Sequence, residues 1–264
     1  MTRHAVVALT LAAAVGGLTA PTALADSAPV PLAAGPAAAL DPTDPVVTGV
    51  TVNGGKDVVV GTTERVSFTV TVHGSDDSGL LMADVDLQGP AVGFYTTDAF
   101  CESQTACTMS FTVDPHLDPY NDDADLSNAN AGAWRVNTLV DTNDGVSFLA
   151  MGAGTFRLQR ASLLTVNAAP EPVAKGATLT VTGKLTRANW DTYRYAGYTG
   201  RPVALQFRPK DSDTYSTVKT VTTNGTGNLS TTVKAAADGY WRWNFAGTTT
   251  TPAAKATGDY VEVN

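Results

Sequence analysis

The chain has 264 residues, of which 43% are hydrophobic and 16% charged, with 17 basic against 25 acidic side chains and a formal net charge of −8. This balance excludes nucleic acid as a partner, because phosphate binding needs clustered Lys and Arg. It also excludes electrostatic docking on anionic lipid, while the apolar fraction is large enough for real cores.

At the N-terminus, Arg3 precedes Ala5 to Leu18, an uncharged Ala-, Val- and Leu-rich run. The run is too short to span a bilayer as a helix. Ala23-Leu24-Ala25 then supplies the small-x-small pattern that a signal peptidase accepts. Residues 1–25 are therefore expected to be a signal peptide cut after Ala25, and loss of Arg3 takes the charge from −8 to −9. No later apolar stretch reaches membrane-spanning length and no Cys stands at the cut, so no membrane anchor is expected. The product reads as a secreted, extracellular, soluble monomer.

Residues 26–45 carry Pro29, Pro31, Pro36, Pro42 and Pro45 among many alanines, which argues for a disordered tail. From Val46 onward, short alternating runs bounded by Gly, Asp, Asn and Pro predict strands and turns. Val66, Phe68, Val70 and Val72 alternate with polar residues, as do Leu81, Ala83, Val85 and Leu87. A period of two puts each apolar set on one core face. Met109, Phe111 and Val113 predict a further strand, Trp134, Val136 and Val140 another, and Asp144-Gly145 a hairpin turn. With Val50, Val52, Phe148, Phe156 and Leu158, residues 46–160 hold about seven strands.

Residues 161–264 repeat the pattern. Leu179, Val181 and Leu185 alternate with threonines and a lysine, and Val203, Leu205 and Phe207 follow. Further strands are predicted over Tyr215 to Val221, Leu229 to Val233, Trp241 to Phe245 and Tyr260 to Val263, with Trp241, Trp243 and Phe245 on a core face and Tyr240, Arg242 and Asn244 alternating on the other. No helical periodicity survives beyond the leader. The expected fold class is all-β, with two immunoglobulin-like β-sandwiches in tandem and a closed barrel as the alternative, and the near-absence of a linker predicts a stiff or only slightly hinged pair.

Cys101 and Cys107 are the only cysteines and lie close in sequence. In an oxidising compartment they predict a disulfide at a hairpin end, closing a short loop worth about 2–3 kcal/mol.

The segment Ala177-Thr178-Leu179-Thr180-Val181-Thr182-Gly183, the run Pro202 to Arg208, Asn224-Gly225-Thr226-Gly227-Asn228-Leu229 and the run Gly239 to Gly247 together resemble a bacterial immunoglobulin-like module of secreted actinobacterial proteins. The first domain resembles such a sandwich more loosely, through Trp134-Arg135-Val136 and Asp141 to Gly145. The resemblance implies the fold and leaves the chemistry open, since such modules act as spacers, adhesins and carbohydrate binders.

Catalytic signatures are missing. No Gly-x-Ser-x-Gly elbow and no His-Glu-x-x-His motif occur, and beyond the leader the histidines are His73 and His116 alone, each read as a surface residue. A non-enzymatic binding or structural module with an extracellular protein or glycan partner is the expectation. No catalytic, cofactor-binding or metal residues are assigned.

Two segments remain candidates. Asp114, Asp118, Asp122, Asp123 and Asp125 form an acidic stretch that has the hard oxygens Ca²⁺ requires. It departs from the helix-loop-helix calcium pattern: counted from Asp123, position six is Asn128 and position twelve is Trp134. A solvated polar loop is the competing reading. Trp190, Tyr193, Tyr195 and Tyr198 form an aromatic insert. Exposed, its rings would stack on sugars of a polysaccharide; folded over the sandwich edge, they would be buried.

Overall fold

A computed structural model describes residues 45–91, 93–96, 99–115 and 126–264. The expected leader, the tail up to residue 44 and residues 116–125 of the acidic stretch lie outside the described residues.

The first half is built from β1 (Val46–Val52), β2 (Val58–Val60), β3 (Val66–Ser75), β4 (Leu80–Gln88), β5 (Gly93–Thr96), β6 (Ala106–Val113), β7 (Gly132–Thr142) and β8 (Ser147–Arg160). One sheet runs β1-β3-β6 and the facing sheet β2-β8-β7-β4-β5. All pairings are antiparallel except β2 with β8. Phe68, Val70 and Val72 of β3 and Met109 and Phe111 of β6 point inward against Trp134 and Phe156 of the other sheet. Phe68 stacks on Phe111 at 5.7 Å, and Trp134 meets Phe156 at 5.9 Å. The indole of Trp134 lies flat against Gly89, where an added Cβ would come within 2.3 Å of the ring.

The second half contains β9 (Ser162–Leu164), β10 (Asn167–Ala169), β11 (Thr178–Asn189), β12 (Arg194–Gly197), β13 (Pro202–Pro209), β14 (Ser216–Thr222), β15 (Asn228–Lys234), β16 (Gly239–Phe245), β17 (Ala254–Lys255) and β18 (Asp259–Val261). The long β11 organises one sheet, pairing with β10 and β15 through its first half and with β9 and β12 through its second. The other sheet runs β14-β13-β16-β17, with β18 also on β16. Trp241, Trp243 and Phe245 of β16 alternate into the core with Leu179, Val181 and Leu205, which follows from their period of two. Gly227 closes the Asn224–Asn228 turn with φ +82°, and a Cβ there would meet the Leu185 carbonyl at 2.4 Å. Only glycine takes that backbone conformation so close to a neighbouring chain without strain.

The fold is all-β. The alternation of Trp241 to Phe245 and the turn at Asp144-Gly145, with Gly145 at φ +87°, are present as read from the sequence. One strand differs. Leu81, expected in the core, is 42% exposed, and Leu80 is buried instead. Leu80 pairs with Thr142 and Met82 with Asp141, so Leu81 is an extra residue on β4. A bulge of this kind turns one side chain out and leaves the alternation of Ala83, Val85 and Leu87 intact.

Candidate functional site

The seam between the two sandwiches concentrates the polar and aromatic chemistry. β8 ends at Arg160 in the first sandwich and β9 begins at Ser162 in the second, and Ala161 donates to the Val60 carbonyl while its own carbonyl accepts from the Ala188 amide.

The aromatic insert is folded into this seam. Trp190 is fully buried, and it belongs to the core of the first sandwich although β11 belongs to the second. Its Nε1–H donates to the Gly61 carbonyl at 2.9 Å. Tyr198 is also buried and meets Phe245 edge-on at 5.7 Å in the second core. Tyr195 is 38% exposed, and Tyr193 takes a left-handed backbone conformation with φ +56° in the connecting turn. Burial of Trp190 and Tyr198 takes these two rings out of any sugar-stacking surface and leaves Tyr193 half-buried and Tyr195 exposed. The two buried rings supply packing area instead.

Polar contacts surround Trp190. Asn128 lies in a one-turn 3-10 helix, Asn128–Asn130, capped by Ser127, whose Oγ accepts from the Ala129 amide while Asn130 Oδ1 accepts from the Ser127 amide. The cap fixes the Asn128 side chain so that its Nδ2 donates to Asn189 Oδ1 at 2.8 Å and its Oδ1 accepts from the Trp190 amide at 3.1 Å. Asp191 accepts from the Asn128 amide at 2.9 Å and also contacts the Asn128 side-chain amide.

Across the seam, the 248–251 turn is gripped from two sides. Gln159 Nε2 donates to the carbonyls of Thr248 and Thr249 at 2.9 and 3.3 Å. The Arg160 amide donates to the Thr250 carbonyl at 3.0 Å, and Arg160 Nε donates to the Ala188 carbonyl at 2.6 Å. Arg187 reaches the hydroxyls of Thr250 and Thr251. Its guanidinium lies 4.0 Å from the Tyr198 ring centroid, and that of Arg201 lies 4.7 Å from the same ring. Burial, with the like charge of Arg187 added to it, pulls Arg160 down to about 10, against the opposing pull of Asp191 and Tyr198. Arg187 is lowered by burial and by Arg201. An adjoining cleft of about 530 Å³ is lined by Asp57, Arg157, Gln159, Thr248 and Thr251 among others, and Arg157 and Asp57 form an ion pair at 3.0 Å.

A second feature lies on the outer face of the β14-β13-β16 sheet. Tyr260 packs on Tyr240 at 5.1 Å, and Arg208 covers Tyr240 at 3.9 Å. Arg242 covers Tyr215 at 3.6 Å and donates from Nε to Gln206 Oε1. Alternating cations and rings reinforce one another through the ring quadrupole. Sequence reading places Tyr240 and Arg242 on the polar face of β16, but the ladder needs the pairing of Arg208 with Tyr240 and of Tyr240 with Tyr260, which only the register supplies.

Cys101 and Cys107 form a disulfide. Of the acidic stretch, Asp114 is described and pairs with Arg65 at 2.6 Å, whereas Asp118, Asp122, Asp123 and Asp125 lie outside the described residues. Among the described residues no three His, Cys, Asp or Glu side chains gather as metal ligands would. His73 is exposed and stands 3.4 Å from Thr51 Oγ1; His116 lies outside the described residues. No helix among the described residues is long and apolar enough to cross a membrane.

The sheets and the seam thus define an all-β protein of paired sandwiches. No protein-family model matches the chain, and no curated protein does. Among solved structures it is similar to the D00-D0 domain of intimin, at 14% identity over 80% of this chain and 98% of that one, with a TM-score of 0.28. It is also similar to a 1.5-MDa bacterial ice-binding adhesin, at 14% identity over 85% of this chain and 66% of that one, with a TM-score of 0.27. The three N-terminal domains of the outer capsid protein Hoc of bacteriophage RB49 match at 11% identity, over 84% and 70%, with a TM-score of 0.29.

Proposed function

We propose that the chain is an exported, non-catalytic module that works by contact, binding or bracing an extracellular protein or glycan, with residues 46–160 and 161–264 as its two sandwich domains. The observation that carries this reading is Trp190, the residue directly after β11 of the second sandwich, buried in the core of the first. A side chain shared in this way resists bending at the seam, and a stiff pair holds its contact faces at fixed spacing with little ordering entropy left to lose on binding. Gln159, Arg160 and Asn128 spend their hydrogen bonds on backbone and amide groups across the same seam, a bracing use rather than an acid–base one. The Cys101–Cys107 bridge suits an oxidising compartment outside the cytoplasm. The Tyr and Arg ladder over Arg208, Tyr215, Tyr240 and Tyr260 is the contact face we assign to a partner.

Backbone NMR relaxation on the full chain is the test of the stiff pair. One tumbling time for both sandwiches is expected, and two independent times would overturn the reading. A calcium role for Asp114 to Asp125 is a separate proposal that rests on the spacing of its carboxylates alone. A saturable rise in melting temperature with Ca²⁺ over chelator supports it, and an unchanged melting curve rejects it.

A further inference from the structure

We infer that Arg160, Arg187 and Arg201 form an oxyanion-binding site at the seam, independent of what the ladder contacts. Arg187 and Arg201 both lie against the ring of Tyr198, and Arg160 and Arg187 meet at Thr250, whose carbonyl accepts from the Arg160 amide at 3.0 Å and whose hydroxyl accepts from Arg187 at 3.4 Å. In a chain with 25 acidic side chains against 17 basic ones, three neighbouring guanidiniums would ordinarily each hold a carboxylate. None does. Among the described residues the ion pairs are Arg65–Asp114, Arg157–Asp57 and Lys210–Asp238. Asp191, the acidic residue whose charge acts on Arg160, is engaged by Asn128 instead.

The arrangement is costly as it stands. Arg160 is 8% exposed, and only its Nε has a hydrogen-bond acceptor, the Ala188 carbonyl. Among the described residues its two terminal nitrogens have no acceptor, yet they are not among the fully buried polar atoms that lack partners. A guanidinium held in this way presents the parallel N–H pair that recognises a carboxylate, sulfate or phosphate by two hydrogen bonds. Burial strengthens such a contact, because an unpaired charge in a half-dry seam carries a desolvation cost that a counter-anion offsets. The seam also fixes the donors: Arg160 is pinned at Nε, Arg187 by the Thr250 and Thr251 hydroxyls, and Arg201 by donation from Nε to the Thr199 carbonyl at 3.3 Å. Preorganised donors of this kind lose little freedom on binding.

The ligand class is therefore a small oxyanion, free or carried as the acidic group of a saccharide. Isothermal titration calorimetry of the full chain with sodium sulfate and with sodium glucuronate, at ionic strength matched by sodium chloride, tests it. A saturable one-to-one heat with at least one anion is expected. Sulfate alone identifies an inorganic source and glucuronate alone a uronate-bearing one. Arg187→Gln and Arg201→Gln are each expected to lose at least about tenfold in affinity, while Arg135→Gln, an exposed cation on β7, leaves it unchanged. Circular dichroism confirms that each variant is folded. Absence of a saturable heat with both anions, or unchanged affinity in folded Arg187→Gln and Arg201→Gln, overturns the assignment.

Discussion

Trp190 donates from its indole N–H to the carbonyl of Gly61, joining two positions 129 residues apart across the seam of the molecule. The indole also fills space in the first core. Trp190→Ala removes both contributions, and a buried Trp→Ala change costs about 3–5 kcal/mol. Trp190→Phe keeps most of the packing but leaves the Gly61 carbonyl without its donor, at about 1–3 kcal/mol. Urea unfolding midpoints of the two variants should rank in that order below the wild type. Equal midpoints for Trp190→Ala and wild type would show that the seam does not hold the indole.

The bulge on β4 makes neighbouring leucines opposite in consequence. Leu80 is buried at 4% exposure and Leu81 is turned out at 42%. Leu80→Ala is expected to destabilise by about 2–5 kcal/mol, and Leu81→Ala by no more than about 0.5 kcal/mol. Thermal melts of the two variants measure the register directly. A reversed ranking would place the extra residue elsewhere on β4.

The disulfide joins Cys101 to Cys107, and Cys107 lies fully buried opposite Val72. The Cys101→Ala, Cys107→Ala double variant is expected to lose about 2–3 kcal/mol, since so short a loop has limited closure entropy to restrict. Alanine rather than serine avoids burying an unpaired hydroxyl at position 107. The same loss is expected on reducing the wild type with dithiothreitol, and denaturant titration of both samples compares them.

Acid stability should depend on Asp238. The hydrogen bond from Lys210 at 2.8 Å, together with the Val263 amide, holds this carboxyl below its ordinary value of 3.8, and the same partner raises Lys210 above 10.5. A carboxyl lowered on folding contributes stability above its unfolded value, and that contribution is lost as pH falls through the lower folded value. A lysine raised on folding contributes below its unfolded value and loses that contribution as pH climbs past the folded one. Asp238→Asn is therefore expected to melt lower than the wild type near neutral pH. The difference should close as pH falls through that lowered value and the carboxyl is protonated in the folded state. Both groups are at the surface, so the effect should also shrink in high salt. A difference that persists unchanged into acid would remove the ion pair as its cause.

Much of the fold is legible in the chain itself, because strand alternation is a local property. Trp241, Trp243 and Phe245 read as core at two-residue spacing, and Cys101 pairs with the one other cysteine available. The bulge at Leu81 is not legible, since adding one residue to one strand changes pairing without changing composition. The aromatic insert offered two fates on its sequence, and Trp190 is buried by contact with a distant strand end at Val60 and Gly61 while Tyr195 stays exposed.

By itself, then, the sequence determined the all-β class, the alternation of each core strand and the presence of two cysteines that can bridge. Tertiary structure alone decided where Trp190 is buried, how Arg208, Tyr240 and Tyr260 come into a ladder, and why Arg160, Arg187 and Arg201 share one seam. The physical reason is range. Alternation is set by backbone geometry within a strand, whereas these groupings depend on register and on contacts between residues far apart in the chain, where no local pattern of residue types carries the information.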